Sequence, residues 1–300
     1  MNPDSIYIRH EPANAIVLFK YWNIAWHNRL VITAITATFA IASVVYSLSL
    51  PDIYRSETLL VSTESRQTNS FAARRGLPIG LGSNFNSQTA KAIAVLQSRD
   101  FIRHFIAKRN LLISLMAGKW SSEHNSSIID STVYDELTAS WVAEPPSEWD
   151  AYRAFSNMLT VSDDPTSSLI TVAIEWHDPY QTRQWLDWLI KDINMHIKDQ
   201  VIIEASSAIQ YLQGQLQTTR LVDIQSTFYQ LIELQTRLLM LTNVRDEYIF
   251  KTIDPAYLPE TKTRPRRAVI SLVGTLLGGL VAIAAATLLH HRAELKEAKK

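Results

Sequence analysis

The chain has 300 residues, 29 basic against 29 acidic side chains, a mean hydropathy of -0.03 and no cysteine. Lack of cysteine excludes disulfides, thiolate metal sites and cysteine nucleophiles. Balanced charge lacks the basic excess of a nucleic-acid binder, so no nucleic-acid partner is expected.

Two uncharged apolar spans organise the rest. Residues 1–29 form a short leading segment in which Ala15, Leu18, Phe19, Trp22 and Trp26 recur at helical spacing. That pattern predicts an interfacial helix with its tryptophans at headgroup level. Leu30–Leu50 follows, and Ala268–Leu289 closes the chain before a short tail at 290–300. Each span gives roughly 30 Å of helix, the thickness of a bilayer core, and both are read as transmembrane helices. Ser47-Leu48-Ser49-Leu50-Pro51 is a poor small-residue cleavage site, so the first span is an anchor and not a signal peptide.

Arg9, Lys20 and Arg29 precede the first span, and Arg292, Lys296, Lys299 and Lys300 follow the second. Positive flanks favour the cytoplasm, and long inserts translocate largely regardless of their own charge. Both termini are therefore expected in the cytoplasm, with 51–267 outside. One cluster opposes this rule: Lys262, Arg264, Arg266 and Arg267 stand just before the second span, on the outer side. The insert carries 22 basic and 25 acidic residues, and its length suffices for one sizeable core.

Within the insert, Tyr54–Thr63 reads as a strand. Arg66–Phe85, with Gly76, Gly80 and Gly82, reads as flexible, and Gly118–Asp130 as a second flexible stretch. Ser87–Gln97 is predicted helical. Ser98 caps a further helix carrying Phe101, Ile102, Phe105 and Ile106. Ser147 and Asp150 mark another helix start, running to about Asn157. Leu159–Ser162 and Leu169–Trp176 are strands joined by a tight connection at Asp163-Asp164-Pro165-Thr166-Ser167. Asp178-Pro179 starts a long helix. Ile202, Ala205, Ile209, Leu212 and Leu216 keep one heptad. Ile224, Leu231, Leu234, Leu238 and Leu241 keep another, offset by one residue across Gln217–Asp223. A turn is expected there, giving a helical arm over about 180–247. The predicted fold class is α+β: two transmembrane helices flank an α/β base domain that carries an extended, coiled-coil-like arm.

Motifs for bond chemistry do not occur. Gly76–Gly82 is not followed by Gly-Lys-Ser/Thr, so it is no P-loop, and no Asp-x-Asp, His-Glu-x-x-His or Gly-x-Ser-x-Gly is present. His290 and His291 adjoin at the membrane edge, where an interfacial role is expected, and Asp163-Asp164 reads as a solvated turn. No catalytic residue, cofactor or metal ligand is assigned, and no enzymatic activity is expected. Trp141, Trp149 and Trp176 are expected to pack in a core, not to stack on a sugar.

The distinctive stretch is Ile253–Arg267. Pro255, Pro259 and Pro265 force an extended, semi-rigid strap between the last strand and the membrane. Gly274-x-x-x-Gly278, with Gly279 beside it, lets helices approach closely, and an oligomer contact is expected there.

Spaced prolines ahead of a glycine-containing second membrane helix resemble the signature of the polysaccharide co-polymerases, the Wzz-type chain-length determinants. Other segments agree in order: Pro51-Asp52-Ile53-Tyr54-Arg55-Ser56, Leu96-Gln97-Ser98-Arg99-Asp100-Phe101, Leu159-Thr160-Val161-Ser162, Trp176-His177-Asp178-Pro179 and Tyr248-Ile249-Phe250-Lys251. The resemblance runs from about Ile16 to His290. It implies a ring-shaped, octamer-like homo-oligomer in the bacterial inner membrane, with the main domain periplasmic. Its partners would be a polysaccharide polymerase, the lipid-linked glycan and membrane lipid. The implied function is to set the chain length of a surface polysaccharide, foremost lipopolysaccharide O-antigen, without catalysis. Only a short tail follows Leu289, without Walker motif or tyrosine cluster, which favours the kinase-free type. The alternative is an export co-polymerase or adaptor for exopolysaccharide or capsule that acts with a separate tyrosine kinase. A two-span sensor would need an output module that the tail cannot form, and a membrane-anchored glycan enzyme would need site residues that are missing.

Overall fold

The computed structural model describes residues 29–63, 85–121, 126–164, 166–218 and 221–297. The expected interfacial helix and the glycines at 76, 80 and 82 lie outside these residues, as do residues 219–220. The chain divides into two compact units. One is made by residues up to Asp52 together with those from Arg264 onward, the other by Ile53–Thr263.

The first unit pairs two apolar helices, α1 (Arg29–Ser49) and α8 (Arg267–Glu297). Both are long and apolar enough to cross a membrane, the second over Arg267–Leu288, and most of their surface faces outward. Threonines within them return their hydroxyls to the carbonyl four residues back, as Thr36 does to Ile32 (2.8 Å) and Thr275 to Ser271 (2.7 Å). Polar side chains thereby keep a partner where no water competes.

The second unit is built on a four-stranded antiparallel sheet in the order β6-β7-β1-β8. Its strands are β1 (Tyr54–Ser62), β6 (Leu159–Asp164), β7 (Leu169–Trp176) and β8 (Phe250–Asp254). Between β1 and β6 come α2 (Phe85–Leu96), α3 (Arg99–Lys108), α4 (Leu112–Ala117), β2 (Gly118–Ser121), β3 (Ser126–Ile129), β4 (Tyr134–Asp135), β5 (Ser140–Trp141) and α5 (Glu148–Met158). The arm is α6 (Pro179–Thr218) followed by α7 (Val222–Val244). Alternating burial along β1 and β7 turns Leu60, Ile170, Val172 and Ile174 into one core with Phe105, Phe155, Trp185, Leu186, Leu189 and Ile193. Phe105 and Phe155 pack with ring centroids 5.4 Å apart.

The local signals act as their chemistry requires. Ser98 Oγ accepts the Phe101 N–H, and Ser147 with Asp150 forms a reciprocal capping box on α5. Asp178 Oδ1 accepts the N–H groups of Tyr180 (2.8 Å) and Gln181 (3.2 Å), which opens α6 at Pro179. At the β6–β7 connection, the Asp164 carboxylate accepts the Thr166 N–H (2.9 Å) and the Ser167 hydroxyl (2.7 Å). Asp163 and Asp164 belong to β6, which runs two ladder pairs beyond the expected strand end at Ser162.

Three expectations change. Gly118–Asp130 is not simply flexible: β2 and β3 pair antiparallel, and Trp120 sits 6.4 Å from the Tyr54 ring. An aromatic contact with β1 holds a sequence whose polar content suggested a loop. Trp149 is half exposed, whereas Trp176 is partly buried against the core and Trp141 meets Tyr134 edge to face with ring centroids 5.1 Å apart. In α7, the heptad Ile224, Leu231, Leu234, Leu238 and Leu241 is exposed. Phe228, Ile232 and Leu239 are the more protected residues instead. The helix turns a second apolar stripe outward.

Candidate functional site

The strap begins as β8 and continues along β1 after the ladder ends. Leu60, Val61 and Ser62 pair with Thr252, Lys251 and Phe250, and a register shift falls between Leu59 and Leu60. Beyond it, Thr58 Oγ1 donates to the Asp254 carbonyl (2.7 Å) and Ser56 Oγ to the Tyr257 carbonyl (2.7 Å). Finally, the Thr263 N–H donates to the Ile53 carbonyl (2.8 Å). Hydroxyls of β1 thus supply the donors that satisfy two carbonyls of the strap. Ser56 and Thr58 are buried, polar and satisfied in this way.

The structure places the three prolines differently. Pro255 is exposed and forms part of the wall of a groove of about 650 Å³ with Thr58, Asn194, Lys198 and Thr252. Pro259 is buried, with Ala256 of the strap in the core cluster. Pro265 is half buried in the other unit.

At the β8 end, Asn194 of α6 holds the strand. Its Oδ1 accepts the N–H groups of Ile249 and Phe250 (both 3.0 Å), while Nδ2 donates to the carbonyls of Phe250 (3.0 Å) and Ile190 (3.2 Å). The side chain is 3 % exposed. Four hydrogen bonds use the amide's whole capacity, and no residue of another type makes this set. One turn further, Lys198 Nζ donates to the carbonyls of Asn243 (3.3 Å) and Arg245 (2.9 Å), closing the carboxyl end of α7. The arm is therefore an antiparallel hairpin whose base is clamped to the strand that leads into the strap.

A charged site lies on the same helix, and a half-buried histidine stands just before its start. Asp192, 5 % exposed, accepts a bidentate pair from Arg109 Nε and Nη2 (both 2.8 Å) and a bond from Lys108 Nζ (2.9 Å). Burial alone would raise its pKa, but hydrogen bonds from Arg109 and Lys108 and their charges outweigh it and leave the carboxyl below its usual value. The Arg109 guanidinium also lies 5.0 Å over the Trp188 ring. His177 stacks on Trp176 at 4.1 Å. Burial pushes its pKa down to about 4, with Asp178 opposing.

In the first unit, the close approach expected at the glycines is observed between α8 and α1 of the same chain. A Cβ on Gly274 would stand 2.4 Å from Ser43 Cβ, and one on Gly278 would stand 2.4 Å from Phe39 Cβ. Gly279 faces open space, with nothing within 4 Å. The glycines continue into Ala282 and Ala286, both buried, so the small residues form a stripe of period four along α8. Asp52, just past α1, pairs with Arg267 at the head of α8 (3.0 Å). Sequence reasoning missed Asn194, Asp192 and the serine and threonine of β1. Their types are common, and only the folded partners distinguish them. Among the described residues, no group of three or more His, Asp or Glu could hold a metal.

Residues 14–109 match the sequence model of the family described as Wzz, chain length determinant protein. The tyrosine-protein kinase etk of Escherichia coli K12 is 35% identical over 98 residues, which is 33% of this chain and 13% of the kinase. The same protein from Escherichia coli O157:H7 gives the same values. The chain thus spans about an eighth of the length of these curated relatives. Among solved structures, a full-length bacterial polysaccharide co-polymerase aligns over 92% of this chain and 97% of its own, at 13% identity and a TM-score of 0.41. A fragment of WzzB from Salmonella Typhimurium aligns over 71% of this chain and all of its own, also at 13% identity, with a TM-score of 0.34. Residues 14–109, which take in α1, β1, α2 and α3, are thus similar to the Wzz chain length determinant family, and α1 is one of the two helices long and apolar enough to cross a membrane.

Proposed function

We propose that the chain is a non-catalytic, homo-oligomeric scaffold of the bacterial inner membrane that regulates the chain length of a surface polysaccharide, lipopolysaccharide O-antigen in the first instance. Both termini are cytoplasmic in this reading, and the Ile53–Thr263 unit is periplasmic. The carrying observation is the Wzz match across the first membrane helix and the sheet's central strand. The exposed leucine stripe of α7 supports assembly, because a helix already paired to α6 still offers Leu231, Leu234, Leu238 and Leu241 to a second copy. An octamer-like ring would then present repeated surfaces to the polymerase and its lipid-linked product. Pro255, Pro259 and Pro265 act in the strap, while Gly274 and Gly278 act in helix packing.

The test is deletion of the gene followed by gel display of the surface polysaccharide. Loss of the modal cluster, restored by this chain, supports chain-length control; an unaltered ladder rejects it. A second reading rests on the likeness to the etk kinase: a co-polymerase or adaptor for exopolysaccharide or capsule export that works with a separate tyrosine kinase. Polymer absent from the surface of the deletion strain would favour that reading.

A further inference from the structure

Two open cavities flank β8 and share part of their wall. One, of about 650 Å³, lies between α6 and the strap, with Asp187, Lys191, Asp246, Glu247 and Thr252 in its lining. The other, of about 710 Å³, is lined by Ser62, Thr63, Arg245 and Lys251, and again by Asp246 and Glu247. Because Asp246 and Glu247 belong to both, the cavities join into one track along the five residues of β8, roughly 17 Å of strand. Each is of a size that holds a small ligand. A track that stays open along its side suits a linear polymer better than one compact molecule.

The lining decides which polymer. Four cations, Lys191, Lys198, Arg245 and Lys251, stand against three carboxylates, Asp187, Asp246 and Glu247. Signs so nearly balanced offer no field that would select a polyanion or a polycation. No aromatic ring lines either cavity among the described residues, so flat groups have no platform to stack on. β8 is an edge of the sheet, where an extended peptide would add as a further strand. Side chains already fill that edge: Asn194 bonds both polar groups of Phe250, and Glu247 Oε1 accepts the Thr252 N–H at 3.2 Å. What remains is a row of exposed donors and acceptors. The side chains of Lys191, Asp246 and Lys251 make no hydrogen bond or ion pair among the described residues. Ammonium donors and carboxylate acceptors, set beside Ile190, Met195 and Pro255, match a ring with hydroxyl edges and apolar carbon faces.

We propose that the track along β8 binds a run of sugar units of the polysaccharide itself, held through their hydroxyls by Lys191, Asp246 and Lys251. The inference rests on the reading of the chain as a regulator of polysaccharide length, and names where on the Ile53–Thr263 unit the glycan lies.

The experiment uses the full chain in phosphatidylcholine nanodiscs. The probe is the surface polysaccharide of the parent strain, released from its lipid by mild acid and sized, and calorimetric titration is the readout. Saturable binding is expected, weakened about tenfold or more in the K191Q/D246N/K251Q triple variant, which loses hydrogen bonds to three charged groups. Raised salt should change binding little, because hydroxyls carry no charge to screen. An extended valine- and threonine-rich peptide should fail to displace the probe. Circular dichroism of the triple variant should match the parent, since all three side chains are exposed. The proposal is overturned by absent binding, by binding that the triple variant retains, by binding that salt abolishes, or by equal competition from the peptide. The salt and peptide arms need no variant. The glycan ladder of the deletion strain reads the parent function separately: a mode restored without polysaccharide binding sinks this inference alone, and an unaltered ladder sinks the parent reading whatever the probe does.

Discussion

Replacing Asn194 by alanine should destabilise the Ile53–Thr263 unit by about 3–5 kcal/mol. The variant strands two backbone donors, Ile249 N–H and Phe250 N–H, which now meet Oδ1 at 3.0 Å. Each unsatisfied buried donor costs about 1–3 kcal/mol, and the space left by the amide adds to that. Asparagine to aspartate separates the two halves of the argument. Its Oδ1 still accepts both N–H groups, but its second oxygen would face the carbonyls of Ile190 and Phe250, at 3.2 and 3.0 Å from the present Nδ2. Only a protonated acid can donate there, so the folded-state pKa of the new carboxyl is raised above the unfolded value near 4. The variant's stability should therefore be largest at low pH and fall as pH rises through the folded pKa. Alanine should show no such slope relative to the parent. Chemical denaturation in detergent, followed by the fluorescence of buried Trp185, measures both quantities. A loss below about 1 kcal/mol in the alanine variant, or an aspartate variant whose pH slope equals the parent's, would refute the latch.

Gly278→Leu should force α1 and α8 apart at Phe39, and shift the polysaccharide ladder or weaken assembly. Gly279→Ala, placed in open space, should leave the ladder and the particle size unchanged. Asp192→Asn should cost about 3–5 kcal/mol in denaturation at neutral pH by leaving Arg109 and Lys108 without their counter-charge. Because the Asp192 carboxyl is held low, its contribution is present above the unfolded pKa and lost as pH falls through the folded one. His177 acts in a different window. Held neutral by burial until about pH 4, it makes the native state lose stability as pH falls from about 6.5 towards that value. His177→Phe should flatten the denaturation profile in this interval, and an unchanged profile would show that the ring is not the cause. Leu234→Glu with Leu241→Glu, at the two more exposed leucines of the stripe, should leave the melting of the isolated protomer within about 0.5 kcal/mol, as exposed sites do, yet reduce the oligomer seen by light scattering.

The elements closest to local chemistry were legible in the chain. Ser98, Ser147 and Asp178 are short polar caps at the start of apolar periodicity, and each caps a helix in the structure. The two-span frame and the break between α6 and α7 could be read for the same reason, since both are set by runs of residues and not by distant partners. The face of α7 was not legible. Periodicity reveals that a stripe exists, and α7 carries two; which one meets α6 depends on the geometry of the turn. The glycine stripe pointed to a close contact, expected with a second copy, and the helix that meets Gly274 and Gly278 is α1 of the same chain. Asn194, Ser56 and Thr58 gave no signal at all, because a buried polar residue is recognised by its acceptors and donors, which lie 55 to 201 residues away.

The way in which the strap is sewn to β1 has a mechanical consequence. Ile53 and Thr263 leave the domain side by side, and the bonds behind them follow in sequence: Thr263 to Ile53, then Ser56 to Tyr257, then Thr58 to Asp254. Lateral separation of α1 and α8 would load this seam as a zipper, one bond at a time from the open end. A pull on both exits together would meet the sheet and its core at once. The same few hydroxyls thus yield readily to spreading and firmly to traction, and the seam they close ends at Asp254, the last residue of β8.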